Sequence, residues 1–99
     1  MSAKHERLAV VTGGIGGLGT EICRHLARSG RKVVAADLDG RPDRIDAFRE
    51  SVSEFNGHIR FEPLNVADFD HCAEFAERVQ QHHGPVDILV NAAGITRDT

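Results

Sequence analysis

Tyrosine and tryptophan are absent from the chain, and five phenylalanines are its whole aromatic complement. No phenol is therefore available to any chemistry these 99 residues perform. Cysteine occurs only twice, at Cys23 and Cys72, with no C-x-x-C pair. Both cysteines fall within helical patterns and read as buried small hydrophobes rather than as a disulfide or metal centre. No Ser/His/Asp or metal-ligand spacing is present, and no metal is expected. His82 and His83 read as solvated residues favoured by a helix C-terminal dipole.

Long hydrophobic runs are missing too. The longest are Leu8 to Val11 and Val33 to Ala36, far short of the roughly 20 residues that span a bilayer. No charged-then-apolar leader opens the chain, so the expected location is cytoplasmic. Neither charge sign dominates: 12 Lys and Arg face 15 Asp and Glu, for a net charge of −3, and both are scattered. Neither nucleic acid nor a membrane is an expected partner. With 40% apolar content, 99 residues suffice for one small core and leave no room for two.

What is present is an alternation. Arg7 to Thr12 is a short apolar run entering a glycine cluster, which suits a buried strand. From Gly17 to Ser29, Leu18, Ile22 and Leu26 recur at helical spacing with Cys23 and Ala27 beside them, and Gly30 stands at the helix stop. Lys32 to Asp37 reads as a second strand. Pro42 opens a second helix carrying Ile45, Phe48, Val52 and Phe55 to an Asn56-Gly57 stop. Ile59 to Leu64 is a third strand. A third helix, capped by Asp68 or Asp70, turns Cys72, Phe75, Ala76 and Val79 inward and closes at Gly84-Pro85. Val86 to Val90 is the fourth strand.

The order β-α-β-α-β-α-β, with connections too long for hairpins, implies an α/β fold with a doubly wound, Rossmann-type parallel sheet and strand order 3-2-1-4. Ligands of such sheets bind at the carboxyl ends of the strands near the switch point between strands one and four. Strand one ends there in "TGGIGGLG". Gly13 permits a tight turn, Gly17 admits a ligand close to the backbone, and Gly19 allows the helix to pack near the strand. The N–H groups at the helix start then face a pyrophosphate. Glycine-rich turns also occur without ligands. Asp37, 18 residues beyond Gly19, sits where an acidic residue holds an adenosine ribose, although it could instead be a solvated loop aspartate beside Asp39. Asn91, Ala93 and Gly94 end strand four across the switch point, as a cleft wall or as an ordinary turn.

"TGGIGGLG", Asp37 and "NAAG" after "VDILV" together resemble the N-terminal half of the short-chain dehydrogenase/reductase family, over Leu8 to Asp98. The resemblance implies that Gly13, Gly16, Gly17, Leu18 and Gly19 line the dinucleotide pyrophosphate. It places Asn65 and Val66 at the adenine, and Asn91, Ala92, Ala93, Gly94 and Ile95 along the ribose toward the nicotinamide. Two residues depart from the usual pattern: Ala92 replaces the second asparagine of N-N-A-G, and Asn65 stands where aspartate is common. Within the family, "VTGGIGGLGTEIC", "NVADFD" and "NAAGITRD" are similar to the acetoacetyl-CoA reductases, which make (R)-3-hydroxybutyryl-CoA for polyhydroxybutyrate. The last string is equally typical of 3-oxoacyl-acyl-carrier-protein reductases. The implied partner is an acyl-CoA or acyl-carrier-protein substrate, bordered by Asp98, and the implied assembly is a homotetramer when full length.

Charge bears on the cofactor. An ionised Asp37 accepts hydrogen bonds from the ribose hydroxyls of NAD(H) but repels a 2′-phosphate, at about 4 kcal/mol per unit of like charge at ~4 Å and an effective dielectric near 20. NAD(H) is expected on this ground, and NADP(H) is the alternative from the resemblance, with Arg41 and Arg44 near enough to neutralise a phosphate. The family's serine, tyrosine and lysine have no counterpart here, so no catalytic residue is assigned. The expectation is that residues 1–99 are the N-terminal part of a single dinucleotide-binding reductase domain, cut before its catalytic half. The alternative of another class is a non-catalytic nucleotide-binding sensor module.

Overall fold

The structure is a computed structural model, and it describes residues 7–92. Four parallel strands, β1 (Leu8–Thr12), β2 (Lys32–Asp37), β3 (Ile59–Pro63) and β4 (Ile88–Asn91), lie in the order β3-β2-β1-β4. Between them run α1 (Gly17–Arg28), α2 (Pro42–Ser51) with a following 3-10 turn (Ser53–Phe55), and α3 (Phe69–His83). The predicted fold class and strand order are both observed.

The central strands owe their continuous apolar character to burial on both faces. Val33, Val34, Ala35 and Ala36 are all buried, and alternate residues serve opposite sides because strand side chains alternate. Val33 and Ala35 join Val11, Cys23, Ala27, Ile45, Phe48 and Val52 in the core beneath α1 and α2. Val34 and Ala36 join Leu8, Val10, Phe75 and Val79 beneath α3. Helices on both faces make the sheet doubly wound.

Several boundaries and faces differ from expectation. In α1 the line facing the sheet is Gly19, Cys23 and Ala27, while Leu18 is exposed and Ile22 and Leu26 only flank the core. The close approach of α1 to the glycine turn admits only small residues along the contact. In α2 the helix stops at Ser51, and Val52 and Phe55 reach the core through the 3-10 turn. In α3, Cys72, Phe75 and Val79 fill the positions touching the sheet, and Ala76 lies on the flank, exposed. Pro63 ends β3 one residue early, and β4 runs from Ile88 to Asn91 rather than from Val86 to Val90.

His83 corrects a further expectation. His82 is exposed, but His83 is largely covered and its Nε2 lies 3.0 Å from Oε2 of Glu62 on β3. Arg78 Nε reaches the other oxygen of Glu62 at 3.3 Å, and its Nη2 donates to the carbonyl of Pro63. The cause is register: Glu62 pairs with Ala36 and so faces the α3 side, where the last turns of that helix close over it. Burial pushes the Glu62 carboxyl up, but hydrogen bonds from His83 and Arg78 together hold it below the usual carboxylate range.

Candidate functional site

The glycine turn at the end of β1 is built by close contact. Gly13 has φ +70°, a left-handed conformation that disfavours side chains, and its N–H donates to the carbonyl of Ala36 at 2.8 Å. A Cβ on Gly19 would stand 2.1 Å from the Gly13 carbonyl oxygen. Gly19 therefore lets α1 start against the strand. A Cβ on Gly17 would meet nothing within 4 Å. That glycine relieves no crowding within the protein, and the open space beside it suits a ligand approaching the backbone.

The start of α1 has no side-chain cap and no acidic residue in its first turn. Its leading N–H groups are thus available to an anion, with the helix dipole adding favourable charge. Asp37 closes the turn from β2. Its Oδ2 accepts the Ile15 N–H at 3.3 Å and its Oδ1 accepts the Leu38 N–H at 2.8 Å. A carboxylate has about four acceptor positions, so two main-chain donors leave room for a diol. Beside it a cleft of about 170 Å³ is lined by Gly13, Ala36, Asp37, Leu38, Leu64, Asn65 and Val66.

Across the switch point, Thr12 ties the ends of β1 and β4. Its Oγ1 lies 2.9 Å from Oδ1 of Asn91 and 3.3 Å from the Val90 carbonyl. Ala92 is fully buried in the core beneath α1, so its side chain serves packing. Thus Gly13, Gly16, Gly17, Leu18 and Gly19 share one turn and helix start, with Asp37, Asn65 and Val66 on one side and Asn91 on the other. Ala93, Gly94, Ile95 and Asp98 lie outside the described residues. On the surface beyond Asp37, Arg41 Nε and Nη2 lie 3.1 and 2.9 Å from Asp43 in an exposed ion pair, whose bonds lower the Asp43 carboxyl from its usual range.

Three contributors escaped the sequence reading. Thr12 is the one polar residue of β1 and ends it, which was a legible signal. Gly14 is needed because a Cβ there would fall 2.8 Å from the Cβ of Ala35; its partner is on another strand. His71, whose Nδ1 receives the Asn65 N–H, gave no periodic signal. Among the described residues no cluster of His, Cys, Asp and Glu could hold a metal ion, and no helix is long and apolar enough to cross a membrane.

Comparison with known proteins converges on one group. The sequence profile of the family described as short chain dehydrogenase matches residues 7–99. The chain is 40% identical over 92 residues to an acetoacetyl-CoA reductase of Allochromatium vinosum, covering 93% of this chain and 37% of that protein. It is 34% identical over 92 residues to a 3-oxoacyl-acyl-carrier-protein reductase of Thermotoga maritima, covering 93% of this chain and 37% of that protein. Among solved structures, an actinorhodin polyketide ketoreductase variant with NADPH superposes with a TM-score of 0.78 at 25% identity, covering 92% of this chain and 34% of that one. The chain thus spans little more than a third of the length of the curated relatives it matches.

Proposed function

The chain belongs to the short-chain dehydrogenase family, and from that premise we propose that it is the N-terminal, nucleotide-binding part of a reductase of 3-ketoacyl thioesters. The first candidate reaction is reduction of acetoacetyl-CoA to (R)-3-hydroxybutyryl-CoA, on the strength of the 40% identity to an acetoacetyl-CoA reductase. A second reading, reduction of the acyl-carrier-protein thioester, is favoured by the 34% identity to the Thermotoga protein. Domain extent, site residues, carrier and homotetrameric assembly are all parts of this proposal.

The observation that carries the reading is the pairing of an open glycine turn with Asp37 around one cleft. The residues present fit a nicotinamide dinucleotide. The space beside Gly17 and the free N–H groups of α1 suit a pyrophosphate, and the Asp37 carboxylate retains acceptor positions for the two ribose hydroxyls. Asn65 and Val66 wall the adenine side. Thr12 and Asn91 hold the two strand ends together where the nicotinamide half would lie. When bound, the nicotinamide supplies the hydride.

This chain's own residues bind and orient; they move no proton. The tyrosine that the resemblance implies is no part of these residues. NAD(H) is the preferred cofactor in this reading, because the Asp37 carboxylate lines the cleft read as the ribose site. The test is a steady-state assay of the full-length protein with acetoacetyl-CoA and with an acetoacetyl acyl carrier protein. Turnover of the CoA thioester at higher kcat/KM is the expected result. Preference for the carrier-protein thioester supports the second reading, and nucleotide binding with no turnover of either supports a sensor module.

A further inference from the structure

Asn65, on the rim of the cleft, is held from outside its own loop. Its main-chain N–H donates to Nδ1 of His71 in the first turn of α3 at 3.2 Å, and its side-chain Oδ1 accepts the Ala67 N–H at 3.0 Å. His71 is itself anchored, its N–H donating to Oδ1 of the N-cap Asp68 at 3.0 Å. Cys72 Sγ lies 3.8 Å from the carbonyl oxygens of both Asn65 and Val66. At the other end of the loop, the Leu64 N–H donates to the Asp37 carbonyl at 2.8 Å. The loop between β3 and α3 thus hangs from Asp37 on one side and from His71 on the other.

We propose that His71 is a positioning residue for the nucleotide: its Nδ1, as acceptor, holds Asn65 and Val66 in the shape that receives the adenine. The inference rests on the reading of the cleft as a nucleotide site. A main-chain N–H can only donate, so the bond needs an acceptor at the place of Nδ1. A side chain without one leaves the Asn65 N–H to water and the loop held only from its Asp37 end.

The experiment uses the full-length protein, with His71→Asn and His71→Leu variants. The amide oxygen of asparagine sits near the place of Nδ1 and accepts; leucine offers no acceptor. Dissociation constants for NADH and for ADP-ribose, which is the dinucleotide without its nicotinamide, are measured alongside melting temperatures. His71→Leu is expected to bind both more weakly than wild type by about 3- to 10-fold, the equivalent of one net hydrogen bond, and His71→Asn to match wild type. The inference is overturned if His71→Leu binds as wild type does, if His71→Asn binds as weakly as His71→Leu, or if the affinity for NADH falls and that for ADP-ribose does not. Wild-type protein that takes up neither ligand defeats the functional reading and this inference together.

Discussion

The main-chain N–H of Ile15, within the glycine turn, donates to Oδ2 of Asp37 at the end of β2, across 3.3 Å. This bond joins the two halves of the candidate nucleotide site, the turn and the carboxylate. Replacing Asp37 by asparagine keeps the shape and one acceptor oxygen but removes the charge. Both Asp37 oxygens accept main-chain N–H groups, so the Asp37→Asn protein should lose one of these bonds and about 0.5–1.5 kcal/mol of stability, and its preference for NADH over NADPH in kcat/KM should fall by about 100-fold, in line with loss of a like-charge repulsion of several kcal/mol. An unchanged ratio would separate cofactor choice from Asp37.

The glycines of the turn differ in what an added Cβ would meet. Gly19→Ala puts a Cβ on the Gly13 carbonyl and should destabilise the fold by about 1–3 kcal/mol or more. Gly17→Ala meets nothing and should leave the melting temperature unchanged or slightly raised, since alanine favours helix. Its nucleotide affinity should nonetheless drop. Thermal melts with binding titrations on both variants decide the matter; a Gly17→Ala protein with wild-type affinity would remove the pyrophosphate from that position.

Glu62 gives a pH signature in the stability of the fold. Its carboxyl is held below the usual range despite burial, by bonds from His83 and Arg78. A depressed folded-state pKa contributes stability that is present above the unfolded-state value, about 4.3 for glutamate, and is lost as pH falls through the folded-state value. The stability difference between wild type and Glu62→Gln, from denaturant unfolding, should therefore shrink as pH falls below about 4.3. A difference independent of pH down to strongly acid solution would mean that the ionised carboxylate contributes nothing.

The two cysteines should react in a fixed order. Cys23 is fully buried, and burial pushes its thiol up to about 12. Thiolate is the reactive form, so Cys23 should resist a thiol reagent until the protein unfolds. Cys72 is only partly covered and should be modified first, as peptide mass mapping after brief labelling would reveal. Equal labelling of both in native protein would contradict the packing of α1.

Much of this molecule was legible in the residues. The apolar runs at Leu8 and Val33, punctuated by glycine and proline, marked the strands. Their spacing allowed only crossover connections and so a parallel sheet, and the Rossmann-type arrangement supplied the order 3-2-1-4. The faces of α1 were harder, because Leu18-Ile22-Leu26 and Gly19-Cys23-Ala27 share one periodicity; the close approach of Gly19 to Gly13 chooses between them, and that distance is a tertiary fact. The pairing of Glu62 with His83 and the need for Gly14 opposite Ala35 join distant parts of the chain. At the site, Gly13, Gly19 and Asp37 followed from strand ends and turn chemistry. The support of Asn65 by His71 depends on the path of a short loop, on which helix or strand periodicity has no bearing.

The central claim is that the turn and Asp37 together receive the unphosphorylated adenosine ribose of NAD(H). Its most direct test is a pair of dissociation constants, for NADH and for NADPH, measured by titration of the full-length protein at one pH and salt concentration. The account predicts NADH bound tighter by about 100-fold or more. Equal affinity, or tighter binding of NADPH, would contradict it.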